Sequence, residues 1–184
     1  MKRALDVMLS LLALILLLPV LLAAALAIAM ETGRPILFGQ VRLGRGGREF
    51  RMYKFRSMVK DAEAIGPYYT DEGDPRVTRV GRVLRRTSLD ELPQLLNVLK
   101  GDMSLVGPRP DVPAQRGLYS DGDWLQRCSV RPGITGLAQA LLRSEATPAE
   151  RLSLDLRYAR EHSLWMDLRI LGWTFRRLSG KGSN

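Results

Sequence analysis

From Val7 to Met30 the chain carries 24 residues without a charge. A helix needs about 20 apolar residues to cross a hydrocarbon core ~30 Å thick, so this run is long enough to span. Pro19 stands near its middle, where a missing N–H and a ring that clashes with the preceding turn break a helix. The pattern predicts a re-entrant helix-break-helix over residues 1–33 that enters one leaflet and returns. Lys2 and Arg3 precede the run, and Arg34, Arg42, Arg45 and Arg48 follow it. With cations at both ends the positive-inside rule casts no vote for a spanning orientation, and both ends are expected on the cytoplasmic side. A secretory signal would have a shorter apolar core of about 7–15 residues. A single-pass anchor stays open, because transmembrane helices tolerate proline where neighbours re-satisfy the backbone.

Beyond the run the periodicities change. Ile36–Val41 and Glu49–Phe55 are β-rich and partly alternating, with Gly44-Arg45-Gly46-Gly47 between them, which predicts a short β-hairpin. A phosphate loop at these glycines lacks both the strand-loop-helix setting and a Lys-Ser/Thr ending. Ser57–Ile65 reads as a short helix, followed by a long loop carrying Asp71, Glu72 and Asp74. Over Val77–Arg86, Val80, Val83 and Leu84 stand at helical spacing opposite Arg79, Arg82, Arg85 and Arg86. Near the C-terminus Leu164, Leu168, Leu171, Phe175 and Leu178 make a 3.6-period stripe, joined by Trp165 and Trp173 and flanked by arginines. Such a helix suits a membrane interface, and core packing is the competing use of the stripe. The expected class is α+β, mostly helical: residues 1–33 as a membrane element and 34–184 as one structural unit on the cytoplasmic face.

Charge narrows the partners. The net charge is +9, of which +8 lies beyond residue 30, so the domain favours an anionic partner. With the apolar N-terminus, an anionic membrane surface is a more economical partner than nucleic acid, each basic residue near it contributing about 1 kcal/mol. Cys128 is the only cysteine and His162 the only histidine. That excludes an internal disulfide and a multi-histidine metal centre, and argues against a histidine-based triad.

The densest chemical signal is Ser88-Leu89-Asp90-Glu91-Leu92-Pro93 leading into Leu95, Leu96 and Leu99 and stopping at Lys100-Gly101. Proline is cheap only in a first turn, which puts the expected helix start near Asp90. Ser88 with Glu91 matches a capping box, and Asp90 is a good N-cap in its own right. Alternatively, amide groups at a helix start draw a phosphate to the place where a carboxylate nucleophile waits, with Arg85 and Arg86 just upstream. A hard divalent ion such as Mg²⁺ suits Glu91 plus substrate oxygens. Downstream, Gly107-Pro108-Arg109-Pro110 is a stiff turn that would aim one guanidinium, a fork suited to phosphate.

Tyr53-Lys54-Phe55-Arg56-Ser57-Met58, Asp74-Pro75-Arg76-Val77-Thr78, Ser88 through Gly101, Met103 through Pro110, and Pro132 through Gln139 occur in this order over nearly the whole chain. Together they resemble the bacterial sugar transferase family, and more narrowly its small monotopic phosphoglycosyl transferases. The resemblance implies transfer of a sugar 1-phosphate from a UDP-sugar to undecaprenyl phosphate at the bacterial inner membrane, with Mg²⁺. It implies that Asp90 forms a covalent phosphosugar and that Glu91 binds the metal. It places Arg85, Arg109, Lys54 and Arg56 on substrate phosphates, and the membrane break at Pro19. The family's break is a Ser-Pro pair, whereas this chain has Leu18-Pro19. No nucleic-acid partner is expected, and a homo-oligomer stays open. Two other classes compete: a membrane-anchored basic adaptor in which Asp90 and Glu91 only cap a helix, and a phosphohydrolase needing no lipid acceptor.

Overall fold

A computed structural model describes residues 1–66, 73–142 and 147–178. The apolar run forms two helices, α1 (Lys2–Leu16) and α2 (Leu18–Thr32), bent by 63° at Leu17. The break falls two residues before Pro19, which sits in the first turn of α2, where its missing N–H costs no hydrogen bond. No side-chain cap holds that turn, so the bend forms without the hydroxyl that a Ser-Pro pair would bring. Each helix has 15 residues, about 22 Å at 1.5 Å per residue, and neither is long and apolar enough to cross a membrane alone.

Both ends of the bent pair are tied to the same domain. Lys2 Nζ donates to the Val106 carbonyl (3.2 Å) and Tyr158 Oη (3.3 Å) and pairs with Asp167 (2.5 Å). Arg3 donates to the Val98 and Leu99 carbonyls. At the other end, Glu31 accepts from the amides of Arg79 and Val80 (2.8 and 3.0 Å). Buried Asp6 accepts from Ser104 Oγ (2.9 Å) and the Leu105 amide (3.3 Å). Away from these ties Leu11, Leu12, Ile15, Leu16, Leu22 and Leu26 remain more than half exposed.

The hairpin has its expected place. Strands β1 (Leu37–Leu43) and β2 (Glu49–Phe55) pair antiparallel, with Leu37 opposite Phe55 and Leu43 opposite Glu49, around the glycine-rich turn. The helix read over Ser57–Ile65 is largely an extended strip instead. Only α3 (Ala62–Ile65) is helical, Asp61 is left-handed (φ 59°), and Met58 bridges Val77. Helix α4 (Arg79–Arg86) is capped by Thr78 Oγ1. It buries Gly81 and Leu84 but leaves Val83 61% exposed, so its apolar side is narrower than the spacing implied. A Cβ on Gly81 would lie 2.0 Å from the Ser57 carbonyl oxygen, so glycine lets α4 rest on this strip.

Asp90 and Glu91 occupy a 3₁₀ turn, Leu89–Glu91, ahead of α5 (Gln94–Lys100). Strand β3 (Ser104–Val106) follows, then α6 (Asp121–Arg127), and β4 (Gly133–Thr135) pairs with β3 in parallel. Helices α7 (Leu137–Leu141), α8 (Pro148–Glu161) and α9 (Leu164–Leu178) close the chain. The predicted stripe on α9 divides. Ile170 is fully buried with Val106, Leu137 and Tyr158, and Met166, Leu171 and Trp173 pack on them, while Trp165, Leu168 and Phe175 are exposed. A second core joins Ala24 and Ile28 of α2 to Phe55 and Leu84. Helix α2 therefore shares a core with the domain, while α1 is held to it by the polar ties of Lys2, Arg3 and Asp6.

Candidate active site

The dyad does not stand at a helix N-terminus. Ser88 takes a left-handed conformation (φ 56°) and makes no capping hydrogen bond, and Pro93, not Asp90, precedes the first turn of α5. The capping box expected of Ser88 and Glu91 does not form. Without an N–H, Pro93 starts the helix at Gln94 and leaves the two carboxylates on the tight turn before it.

Each neighbour of the dyad is delivered by a separate element. Lys54, near the end of β2, donates to Glu91 Oε1 (2.8 Å), and Arg109 Nη2 donates to the same oxygen (2.7 Å). Asn97, fully buried on α5, fixes β2 against the dyad: its Oδ1 accepts from the Tyr53 amide (2.9 Å) and its Nδ2 donates to the Arg51 carbonyl (2.8 Å). It completes the edge of a strand one residue from Lys54. Arg109 is aimed by the glycine-lined junction of β3 and β4. A Cβ on Gly107, Gly133 or Gly136 would come within 2.2 Å of backbone atoms across that junction. From behind, buried Arg127 donates to the Arg109 carbonyl (2.6 Å) and is ion-paired with Asp111 and with Asp155 (3.0 Å).

These groups open onto a cleft of about 750 Å³. Eight of its wall residues are Lys or Arg against three carboxylates, a field suited to a polyanionic ligand. Arg85 lines it, with Nε held by Ser57 Oγ (2.9 Å). Arg56 lines it too, but its Nη2 donates to the carbonyls of Thr32 (2.9 Å) and Gly33 (2.6 Å), so this cation also anchors the end of α2. Thus Lys54, Arg56, Arg85, Asp90, Glu91 and Arg109 gather in one cleft, whereas Pro19 serves the helix bend instead.

The two carboxylates differ sharply. Burial raises the Asp90 pKa, and the nearby Lys54 and Arg85 only partly oppose it. Burial also opposes ionisation of Glu91, but Arg109 and Lys54 outweigh it and hold that carboxyl at about 2. Among the described residues Glu91 is ion-paired and Asp90 is not. Two acids whose environments push their pKa values apart have separate tasks open to them: one is locked as an anion, the other is raised in energy as an anion.

Sequence reasoning passed over several participants. Arg42, read only as a flanking charge, lines the cleft and donates to the Pro110 carbonyl (2.9 Å); burial and Arg109 lower its pKa to about 10. Nothing local marks Asn97 or Arg127, whose partners lie tens of residues away along the chain. Asp6 had one available signal: a lone carboxylate at the edge of an apolar run. Asp74 pairs with Arg76 (2.6 Å), whose hydrogen bonds hold its carboxyl at about 2, and it does not line the cleft. Asp71 and Glu72 lie outside the described residues. Among those described, no three His, Cys, Asp or Glu side chains cluster as a ready-made metal cage.

The bacterial sugar transferase profile matches residues 1–181. This chain belongs to the bacterial sugar transferase family. It is similar to the UDP-N-acetylgalactosamine-undecaprenyl-phosphate N-acetylgalactosaminephosphotransferase of Aeromonas hydrophila, 43% identical over 192 residues that cover 99% of this chain and 44% of that protein. It is 48% identical over 177 residues to the UDP-glucose:undecaprenyl-phosphate glucose-1-phosphate transferase of Caulobacter vibrioides, covering 92% of this chain and 66% of that one. The exopolysaccharide production protein PSS of Rhizobium leguminosarum bv. phaseoli is 45% identical over 182 residues, covering 93% of this chain and 91% of that protein. The chain thus spans less than two thirds of the first two relatives and nearly all of the third. The cationic cleft around Asp90 and Glu91, where two carboxylates of unlike environment meet eight cations, is the candidate active site of this family member.

Proposed function

We propose that this chain transfers a sugar 1-phosphate from a UDP-sugar to undecaprenyl phosphate in two steps, through a covalent phosphosugar on Asp90. The observation that carries this reading is the inequality of the dyad: a buried carboxylate without an ion-pair partner among the described residues, beside one pinned by two cations. In the first step an Asp90 carboxylate oxygen attacks the sugar-bearing phosphorus. An acyl–phosphate bond forms, the bond to the bridging oxygen breaks, and UMP departs with that electron pair. In the second step a phosphate oxygen of the lipid attacks the same phosphorus and displaces the Asp90 carboxylate, giving polyprenyl-diphosphate-sugar. Lys54, Arg85 and Arg109 offset the charge that gathers on the phosphoryl oxygens, and fixed cations need no rearrangement as it does so.

The donor set fits Mg²⁺ brought in with the diphosphate rather than a resident ion. Mg²⁺ is held by one or two carboxylates plus substrate phosphates and waters. Glu91 Oε1 is engaged by Lys54 and Arg109, so Glu91 would hold such an ion through its other carboxylate oxygen, together with substrate phosphates. Such an ion would neutralise phosphate charge and make UMP a better leaving group.

The same reading places α1 and α2 as a re-entrant pair in the inner membrane, with the cleft at its cytoplasmic face. Support comes from the 63° bend, the exposed leucines, and the anchoring of both ends on one domain. The exposed Trp165, Leu168 and Phe175 of α9 suit the interface. The adaptor alternative loses its footing, because neither carboxylate caps a helix. Adding polyprenyl phosphate and a UDP-sugar separates transfer from hydrolysis: UMP release that stops at one equivalent per chain without lipid and turns over with it supports the transferase, and lipid-independent turnover to free sugar phosphate contradicts it.

A further inference from the structure

Next to the catalytic cleft lies a second cavity, of about 450 Å³, with almost wholly apolar walls. Leu14 of α1 and Leu21 and Ala25 of α2 form one side, Leu37 of β1 another, and Pro93 and Leu96 the third. Arg34, Pro35 and Phe55 line this groove and the cleft alike, so the two meet at a shared seam. At the cleft side of that seam stands Arg56, 7% exposed, whose Nε and Nη1 have no hydrogen-bond partner among the described residues. A buried cation left partly unpaired favours an anion.

Resting on the transferase reading, we propose that this groove holds the first isoprene units of the polyprenyl phosphate acceptor, and that Arg34 and Arg56 receive its phosphate where groove and cleft meet. Only a ligand that is apolar at one end and anionic at the other occupies both compartments. A nucleotide leaves the groove empty. A cavity of about 450 Å³ is within the size range of small-molecule sites and has room for the first few isoprene units. The groove's service is alignment rather than affinity, because walls and lipid tails are equally apolar and burial between them gives no hydrophobic gain. It points the phosphate end of the chain toward Asp90.

The test uses the intact protein in nanodiscs with a polyprenyl phosphate carrying a photoreactive diazirine in its second isoprene unit, followed by peptide mapping. Crosslinks within residues 14–25 and 93–96, displaced by unlabelled polyprenyl phosphate but not by phosphatidylglycerol, are expected. Crosslinks confined to other elements, or displaced equally by phosphatidylglycerol, overturn the assignment. A Leu96→Trp variant, altered at a position already 38% exposed, should lower about tenfold the ratio of kcat/KM for polyprenyl phosphate to the rate of adduct formation from UDP-sugar, a step that needs no lipid. An unchanged ratio counts against the groove. Failure of the underlying reading looks different, because a phosphosugar adduct on Asp90 forms from UDP-sugar with no lipid present. An adduct with crosslinks elsewhere sinks the groove alone, and groove crosslinks without an adduct sink the covalent mechanism alone.

Discussion

At the scale of the residue, the argument turns on Asp90. Its raised pKa means that the folded chain binds this proton more tightly than the unfolded chain does, so ionised Asp90 costs stability once the pH passes its folded pKa. Asp90→Asn should therefore abolish UMP release while leaving the melting temperature at pH 7 unchanged or higher. The difference between the two proteins should vanish as acid protonates Asp90. A helix-capping aspartate predicts the opposite, a loss of about 1 kcal/mol. Glu91 has the reverse sign: held at about 2, it contributes stability above its unfolded pKa that is lost as pH falls through the folded value. Lys54→Met removes one of its two cations and should raise the Glu91 pKa. Initial rates of UMP release should fall about 100-fold in this variant, since in the proposed reaction Lys54 also offsets charge on the phosphoryl group.

At the scale of the element, the site depends on strands and turns held by a few buried side chains. Asn97→Leu leaves the Tyr53 amide and Arg51 carbonyl unpaired, which should cost about 1–3 kcal/mol by denaturant titration and slow turnover by loosening Lys54. The hairpin was legible in the sequence because its alternation and glycine turn are local. So was the block around Asp90, by its resemblance to a family motif. The turn that carries the dyad was misread, because Ser88 and Glu91 match a capping box in sequence while the chain reaches a left-handed Ser88 in space. The β3–β4 pair was missed because Ser104 and Gly133 meet only through a parallel, long-range register. Asn97 and Arg127 share that reason: what they do is decided by distant partners, and composition carries no trace of it.

At the scale of the whole molecule, the bent helix pair and the domain behave as one body, with Lys2, Arg3, Asp6 and Glu31 fastening one to the other. If α1 and α2 are re-entrant, a cysteine placed ahead of Met1 and another at Arg48 should both react with impermeant maleimide from the same face of the membrane. The lone native Cys128 is buried and should stay silent. Labelling from opposite faces would establish a spanning anchor instead. In the proposed reaction a membrane lipid and a soluble nucleotide sugar meet at one carboxylate, and the covalent step is its centre. The most direct test is intact mass after incubation with a panel of UDP-sugars and Mg²⁺, without lipid acceptor. One sugar-phosphate should be added per chain, mapped to Asp90, accompanied by UMP and discharged by undecaprenyl phosphate. Lipid-dependent turnover with no adduct, or with full activity in Asp90→Asn, would contradict the account.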